Sequence, residues 1–567
     1  MLKNQLFIVF FAFVMCFVGC EQSRYSPSSI YYEKNVGLSV GGAKDINNFR
    51  ENIANQFLPL PTDITYEGLF YDYFFDTGQT EACEKLFCPS YTSAVSKDPF
   101  SQKEEYFLSV GLNSGIKKED FSRKKLNLVI VIDISSSMDG AFDRYYYDQH
   151  RKKELFDKTS EKELFVENEE EDLNKTKLQV ASESVVALMD HLKPEDSFGV
   201  VLFENQAHLG KSLTKVKDIH LKNIKDHILN LSAEGGTNMS AGMQLATELL
   251  EDRLKEETDG EFENRIIFLT DAQPNTGMIG EEELLDMVKA NSERKIYTSF
   301  IGVGVDFNTE LIEFINKTQG ANYYAAHSPL EFKKRLDDEF DFMVTPLAFD
   351  LELKVKAPGF KIKKVYGSPS ADSATGEIMK VATLFPSQRT NDETRGGIVL
   401  LQLEKISPAA DSEIQLTASY KDRKGTANSH SVEFEFKQSS EFYDNTGIRK
   451  GLLLVRYANL IKNWILRERK PKQETTENFE SLYKEKGIFI PTDEVYQLGR
   501  WERQSMELSV SSGYKKLFKQ FHSYFEKEMK EIGDSSLDKE LEVLKVLSSN
   551  SEVSSSEPSP AQPPGEL

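Results

Sequence analysis

Cysteine and histidine are scarce and dispersed in this sequence, which contains four Cys and eight His among 567 residues. A structural zinc site needs four Cys or His ligands at short, regular spacings. Neither residue type forms such a cluster here. The sequence therefore argues against a zinc-stabilised fold and leaves oxygen atoms as the available ligands for a metal.

The sequence also lacks an excess of basic charge and the common signatures of catalysis. Its formal net charge is −22, which argues against nucleic acid binding because contacts to phosphate need clustered Lys and Arg. No H-E-x-x-H, G-x-S-x-G or Walker A pattern is present. We therefore expect a protein that is not an enzyme and that does not bind nucleic acid.

Long apolar runs are confined to the N-terminus. Lys3 precedes an apolar stretch that begins at Leu6 and ends just before Gly19-Cys20. The stretch is too short to cross a bilayer comfortably, and a charge, an apolar run and a small residue together are typical of a secretory signal. A Cys directly after the small residue resembles the bacterial lipoprotein signal, in which Cys20 carries the lipid, although Phe17 stands where Leu is usual.

That resemblance implies an extracytoplasmic protein that a lipid holds at the outer membrane or the cell surface. Residues 1–19 would be the signal peptide and 20–47 a tether, and Glu21 favours the outer membrane. A plain signal peptide or a short membrane anchor is the alternative. Export also suggests that Cys83 and Cys88 form a small disulfide loop, because secretion brings them into an oxidising compartment.

The chain is too long for a single hydrophobic core, so we expect two to four domains. Residues 48–125 are an N-terminal extension with a helical stretch that Pro59 and Pro61 interrupt. Residues 126–343 alternate helical periodicity with short continuous apolar runs such as KLNLVIVID and RIIFLTD. Such runs are typical of buried parallel strands, and their alternation with helices predicts a doubly wound, mostly parallel α/β sheet.

The period of the apolar pattern changes after the α/β region. Apolar and charged residues alternate over 347–438, which predicts an adjoining antiparallel β-sandwich. Residues 441–533 return to helical spacing and form a C-terminal helical region. Residues 534–567 end in Ser, Pro, Glu and Gly, so we expect them to be mostly disordered.

One predicted strand has no obvious place in the parallel sheet. Residues 104–112 read EEYFLSVGL and directly precede the first parallel strand. We expect this strand to pair with the β-sandwich. The α/β domain would then be an insertion into a β domain.

Three polar segments lie at the predicted ends of buried strands or just before a helix. They read DISSSM from Asp133, GGTN from Gly235 and TDAQPN from Thr270. Ligands of open parallel sheets bind outside the carboxyl ends of the strands, so the three segments should converge on one edge. Their hydroxyl and carboxylate groups supply the oxygen ligands that Mg²⁺ prefers.

In this order and spacing, the three segments resemble the metal-ion-dependent adhesion site of von Willebrand type A domains, which have a Rossmann-like fold. The resemblance implies five ligands, three hydroxyls and two carboxylates that coordinate directly or through water: Ser135, Ser137, Thr237, Asp133 and Asp271. It implies a divalent cation, with Mg²⁺ favoured and Mn²⁺ or Ca²⁺ as alternatives.

The chain departs from this family in two places. Residues 139–174 are inserted after the first motif and contain three consecutive Tyr and an acidic run. This insert would gate the site, contact a partner or form a solvent-exposed loop. Ala272-Gln273 replaces the usual Gly of the third motif, which affects the shape of the loop more than its ligands.

The α/β domain and the sandwich are also similar to the heavy chains of inter-alpha-trypsin inhibitor, and residues 48–531 to bacterial proteins with a type A domain. By this resemblance we expect metal-dependent protein binding, as an adhesin or as a scaffold of an envelope complex. The partner would present an Asp or Glu carboxylate that replaces a metal-bound water.

Two other functions stay open. The first is a peripheral accessory subunit of a membrane transporter or channel, since some channel subunits carry this domain. No segment after the signal is long and apolar enough for the protein to be an integral subunit. The second, less favoured, is a metal-dependent hydrolase, in which only the predicted Asp ligands lie where a general base is needed.

Overall fold

A computed structural model describes most of the chain between residues 35 and 549. The described residues are 35–142, 175–255, 261–271, 281–304, 317–326, 328–337, 339–356, 359–367, 378–407, 414–434, 441–469, 479–491 and 506–549. The predicted signal region with Cys20, most of the 139–174 insert and Ala272-Gln273 lie outside them.

The described residues form twenty strands and twelve α-helices. The strands are β1 (Asn35–Val40), β2 (Ala43–Lys44), β3 (Phe74–Asp76), β4 (Cys88–Lys97), β5 (Glu104–Lys117), β6 (Lys125–Asp133), β7 (Ser197–Phe203), β8 (Ala207–Lys215), β9 (Phe262–Thr270), β10 (Ile296–Val303), β11 (Asn322–Ala326), β12 (Ala348–Lys356), β13 (Phe360–Tyr366), β14 (Ile378–Ser387), β15 (Arg389–Thr390), β16 (Glu393–Arg395), β17 (Ile398–Lys405), β18 (Ile414–Asp422), β19 (Ala427–Phe434) and β20 (Phe442–Tyr443). The helices are α1 (Asn47–Ala54), α2 (Tyr66–Tyr71), α3 (Lys177–Leu188), α4 (Leu221–Leu229), α5 (Met239–Leu254), α6 (Glu281–Glu293), α7 (Pro329–Asp337), α8 (Phe340–Met343), α9 (Thr446–Glu468), α10 (Phe479–Lys486), α11 (Ser512–Ile532) and α12 (Asp538–Ser549).

Strand β6 is buried on both faces because its apolar residues alternate between two hydrophobic cores. Leu128 and Ile130 pack in one core with α3 and α7, whereas Val129 and Val131 pack in the other with α5 and α6. Successive side chains of a strand point to opposite faces, so a continuous apolar run needs cover on both sides. The prediction of a doubly wound α/β fold is confirmed.

The seven strands of this sheet are arranged in the order β2-β11-β10-β9-β6-β7-β8. All described neighbours pair in parallel except β7 and the edge strand β8. The first strand of the domain, β6, lies between β7 and β9. The chain first adds β7 and β8 on one side of β6, and then adds β9, β10 and β11 on its other side, so the strand order reverses at β6. Ligands of such sheets bind at this reversal, beyond the carboxyl ends of the strands.

The expected insertion of the α/β domain into a β domain is confirmed. Strand β5 precedes the α/β domain and pairs antiparallel with β17, which follows it, with Leu108 opposite Leu401. The ten-stranded antiparallel sheet also contains β1 and β4, and β5 is paired with both. Apolar residues from distant strands of this sheet belong to one hydrophobic core, so the two halves of the sheet pack against each other.

The C-terminal helical region shares its core with the N-terminal extension. Helix α9 is buried over most of its surface and packs against α11, α1 and α2 in one hydrophobic cluster. The extension at 48–125 is thus divided between this helical core and the antiparallel sheet. The prediction that residues 534–567 are mostly disordered is wrong for the start of this range. Helix α12 lies there, and its Leu544 and Leu547 belong to the same hydrophobic cluster.

No helix among these described segments has both the length and the apolar character needed to cross a bilayer.

Candidate metal centre

The three polar segments meet at the carboxyl edge of the parallel sheet, beside the reversal of strand order. Asp133 is the last residue of β6, and Asp271 directly follows β9, the neighbouring strand. The segment from Gly235 leads into α5. Parallel strands end at the same edge, which brings residues 138 positions apart in the chain into one site.

The first segment turns sharply after β6 and places two hydroxyl groups side by side. The backbone N–H of Ser135 donates to Asp133 Oδ1 at 2.9 Å, and a short 3₁₀ turn follows at Ser136–Asp139. The hydroxyl oxygens of Ser135 and Ser137 are 3.0 Å apart. Met138 is fully buried and anchors the turn in the core. Both hydroxyls are therefore positioned to face a common ligand.

The second segment is held against the first by backbone contacts. Ser136 donates from its backbone N–H and its hydroxyl to the carbonyl oxygen of Gly235, at 3.1 and 2.8 Å. Gly235 has φ +73°, and a Cβ there would lie 2.5 Å from Glu204 Oε2. The positive φ therefore favours glycine here, while the end of the Glu204 side chain could move away from a Cβ. This turn carries the fully buried Thr237 into the site.

The third segment links the two predicted carboxylate ligands to other side chains. The hydroxyl of Thr270 donates to Asp133 Oδ2 at 2.6 Å. Lys177 Nζ lies 3.2 Å from Asp271 Oδ2, and both of these side chains are fully buried. Asp271 Oδ1 is also buried, and it has no hydrogen-bond partner among the described residues.

Two buried carboxylates in one site create an unfavourable negative potential. Burial, and then the charge of Asp271, raise the pKa of Asp133 to about 7, against the lowering effect of hydrogen bonds from Ser135 and Thr270. A bound divalent cation would remove this penalty and give Asp271 Oδ1 a partner. The residues therefore fit a hard cation that accepts hydroxyl and carboxylate oxygens.

A softer metal has no comparable site in the described segments. No group of three or more His, Cys, Asp or Glu side chains is arranged there to hold a metal ion. A metal ion at this edge of the sheet would therefore need hydroxyl ligands, as the motifs predict.

Sequence reasoning missed two residues of this centre. Thr270 belongs to the quoted third motif but was assigned no role, although its hydroxyl orients Asp133. Lys177 lies just beyond the insert, 94 positions before Asp271, and belongs to no motif. The available signal was a Lys at the start of an apolar helical pattern, which is weak because Lys is usual on helix surfaces.

The predicted disulfide lies elsewhere, in the loop before β4. Cys83 and Cys88 are joined by a disulfide bond with their Cα atoms 5.8 Å apart. The loop packs on β5, where a Cβ at Gly115 would lie 2.6 Å from the carbonyl oxygen of Cys83. The bond therefore fastens a local loop to the antiparallel sheet.

Comparison with known proteins agrees with the fold and the position of the motifs. Residues 128–273 match the von Willebrand factor type A domain family. The chain contains a von Willebrand factor type A domain. The matched residues include all five predicted ligands and the first two segments in full, and they end at Gln273 within the third segment.

Two further proteins are similar in sequence to parts of this chain. Inter-alpha-trypsin inhibitor heavy chain H1 of Mesocricetus auratus is 23% identical over 328 residues, which are 57% of this chain and 29% of that protein. The uncharacterized protein YfbK of Escherichia coli (strain K12) is 26% identical over 188 residues, 32% of this chain and 31% of that protein. The matched regions thus span under a third of either relative.

Among solved structures, the chain is similar to a von Willebrand factor type A protein from Catenulispora acidiphila. It shares 15% sequence identity with this chain at a TM-score of 0.40, and the alignment covers 68% of this chain and 81% of that one.

Proposed function

We propose that this protein binds a partner protein through a divalent cation held in its type A domain, as a lipid-anchored adhesin or envelope scaffold. The observation that carries the proposal is the pair of buried carboxylates, Asp133 and Asp271, beside the adjacent hydroxyls of Ser135 and Ser137. This combination leaves a buried carboxylate oxygen that a cation would satisfy.

The predicted ligands contribute two kinds of oxygen atom in this proposal. Ser135, Ser137 and Thr237 contribute hydroxyl oxygens, while Asp133 and Asp271 hold the cation directly or through water. A bound Mg²⁺ would supply the positive charge that attracts a partner carboxylate. Ser137 is only half-buried, so the partner can approach on its side. The other four predicted ligands are buried.

The first test is the thermal stability of the full chain in Mg²⁺, Mn²⁺, Ca²⁺ or EDTA. A metal that binds the native state stabilises it, and we expect a rise in melting temperature of at least about 3 °C at saturation. The double variant Asp133→Ala/Ser135→Ala should lose this rise, because it lacks one carboxylate and one hydroxyl.

Asp139→Ala is the matched control for this experiment. Asp139 lies in the same turn, but its side chain is exposed and is not among the predicted ligands. It should keep the metal-dependent rise. No rise in the wild-type chain with any of the three metals would contradict the proposal.

Partner binding is tested with the metal that gives the largest rise. Immobilised wild-type chain should retain envelope proteins in that metal, EDTA should release them, and the double variant should retain none. Partners that stay bound in EDTA and to the double variant would show that binding does not use the metal centre.

A further inference from the structure

The buried side chain of Lys177 lies at the candidate metal centre, although no motif assigns it there. Its ammonium group contacts Asp271 Oδ2 at 3.2 Å, with both side chains fully buried. Lys is almost never fully buried without a charged partner, because removing an ammonium group from water is unfavourable. Asp271 is therefore a partner that stabilises the burial of Lys177.

The position of Lys177 in its helix does not favour a cation. Lys177 is the first residue of α3, directly after the N-cap Thr176. The N-terminus of a helix carries a partial positive charge, which disfavours a second positive charge in the first turn. The helix itself therefore does not account for a buried Lys at this position, whereas the contact with Asp271 stabilises it.

The fold provides a path for the Lys177 side chain. Gly304 follows β10 with φ +91°, and a Cβ there would lie 2.7 Å from Lys177 Cε and 3.3 Å from the carbonyl oxygen of Phe142. The backbone N–H of Lys177 donates to the carbonyl oxygen of Gly140 at 2.9 Å. The end of β10 and the root of the insert thus enclose this side chain.

Asp271 presents its two carboxylate oxygens to different surroundings. Oδ2 contacts Lys177, whereas Oδ1 is buried without a hydrogen-bond partner among the described residues. A buried carboxylate oxygen without a donor is unfavourable. A cation bound at Oδ1 would therefore lie on the same Asp271 carboxylate as the Lys177 ammonium group, which contacts Oδ2.

We propose that Lys177 is a positioning residue that sets the charge of the metal centre and makes it selective for carboxylate ligands. Asp133 and Asp271 together would neutralise a divalent cation, and Lys177 leaves these side chains and the metal with a net charge of about +1. The centre then holds a free cation less tightly and favours an anion that completes the coordination. This inference rests on the proposed metal-dependent function.

The test is the affinity of the full chain for Mn²⁺ alone, measured by isothermal titration calorimetry. Lys177→Met should bind Mn²⁺ at least about tenfold more tightly than the wild type, because no adjacent ammonium group repels the metal. Lys177→Arg keeps the positive charge and should keep the wild-type affinity. A purely structural role for Lys177 would lower the melting temperature in EDTA without strengthening Mn²⁺ binding.

Lys44→Met is the matched control. Lys44 forms another buried ion pair, with Asp63 at 3.1 Å, but it belongs to the edge strand β2, three strands away from β9. Its loss should not change Mn²⁺ affinity. If Lys177→Met does not fold, Lys177→Gln removes the charge and retains a polar group beside Asp271.

Acetate provides a second measurement that depends on the charge of the loaded centre. Acetate should strengthen Mn²⁺ binding by the wild-type chain and should do so less in Lys177→Met. An equal effect of acetate in both proteins contradicts the assigned role.

The possible failures are distinguishable. If the wild type binds Mn²⁺ and the neutral Lys177 variants bind it equally or more weakly, Lys177 does not set the charge, and the proposed function stands. If neither the wild type nor the variants bind Mn²⁺, and neither Mg²⁺ nor Ca²⁺ stabilises the wild type, the proposed metal-dependent function is wrong.

Discussion

At the scale of single residues, the candidate metal centre is assembled from side chains that local structural preferences would place elsewhere. Asp133 and Asp271 are fully buried, and Lys177 introduces a positive charge at a helix N-terminus. Buried charges of this kind are retained where they have partners, and the breaking of one partner costs about 3–5 kcal/mol. The site is therefore under electrostatic strain that binding of a cation would relieve.

The conformation of Gly235 gives a prediction at this scale. Gly235→Ala should weaken metal binding by up to about tenfold, because a side chain disfavours the positive φ of the turn that leads to Thr237, at a cost of about 1–2 kcal/mol. Calorimetric titration with Mg²⁺ or Mn²⁺ measures the change. Gly425→Ala is the control, since Gly425 has a similar φ of +83° with nothing within 4 Å of a Cβ. Equal metal affinities in the two variants would contradict this role for Gly235.

At the scale of elements, helix α12 shows how a short segment is stabilised by its partners. Glu540 is fully buried and contacts Arg50 of α1, across 490 positions of the chain, and it also accepts a hydrogen bond from Tyr73 at 2.8 Å. Isolated helices of this length are marginal in water, so the contacts with α1 and α11 decide its stability. The N- and C-terminal parts of the chain therefore form one core.

Two truncations test the contribution of α12. Ending the chain after residue 533 should lower the free energy of unfolding by at least about 5 kcal/mol, because it exposes apolar core residues and leaves Arg50 buried without Glu540. Ending it after residue 550 should leave thermal and denaturant unfolding unchanged. Similar stability of the two truncated chains would show that α12 does not belong to the core.

At the scale of the whole molecule, the type A domain is an insertion whose two ends are joined by an ion pair. Arg123 precedes β6, and its Nε lies 2.8 Å from Oδ1 of Asp341 in α8. The same guanidinium pairs with the buried Asp196. Close entry and exit points let the α/β domain interrupt the antiparallel sheet without separating β5 from β17.

The proposed lipid anchor is a prediction about the whole molecule, because it would determine on which membrane the candidate metal centre lies. Cys20→Ser should abolish incorporation of labelled fatty acid and move the protein out of the membrane fraction. Cys16→Ser is the matched control, since Cys16 lies within the predicted signal and should not carry lipid. Labelling that persists in Cys20→Ser, or that is absent from the wild type, would contradict a lipid anchor at Cys20.

Part of the fold and of the candidate site can be predicted from neighbouring residues alone. The run LNLVIVID predicts a strand buried on both faces, and DISSSM, GGTN and TDAQPN identify segments suited to a hard cation. These signals are strong because strand burial and turn formation depend on residues a few positions apart. Strand β8 was missed because AHLGKSLTK, at the exposed edge of the sheet, contains few apolar residues.

The sequence by itself determined the α/β core, the order of its elements and the polar residues at the strand ends, because these follow from local periodicity. Only the tertiary structure decided that Lys177 contacts Asp271, that α12 packs on α1, and which strand of the predicted sandwich, β17, pairs with β5. Each of these contacts joins residues far apart in the chain. These contacts depend on which side chains are buried together in the folded molecule and on their charge and size. A local sequence pattern does not contain this information.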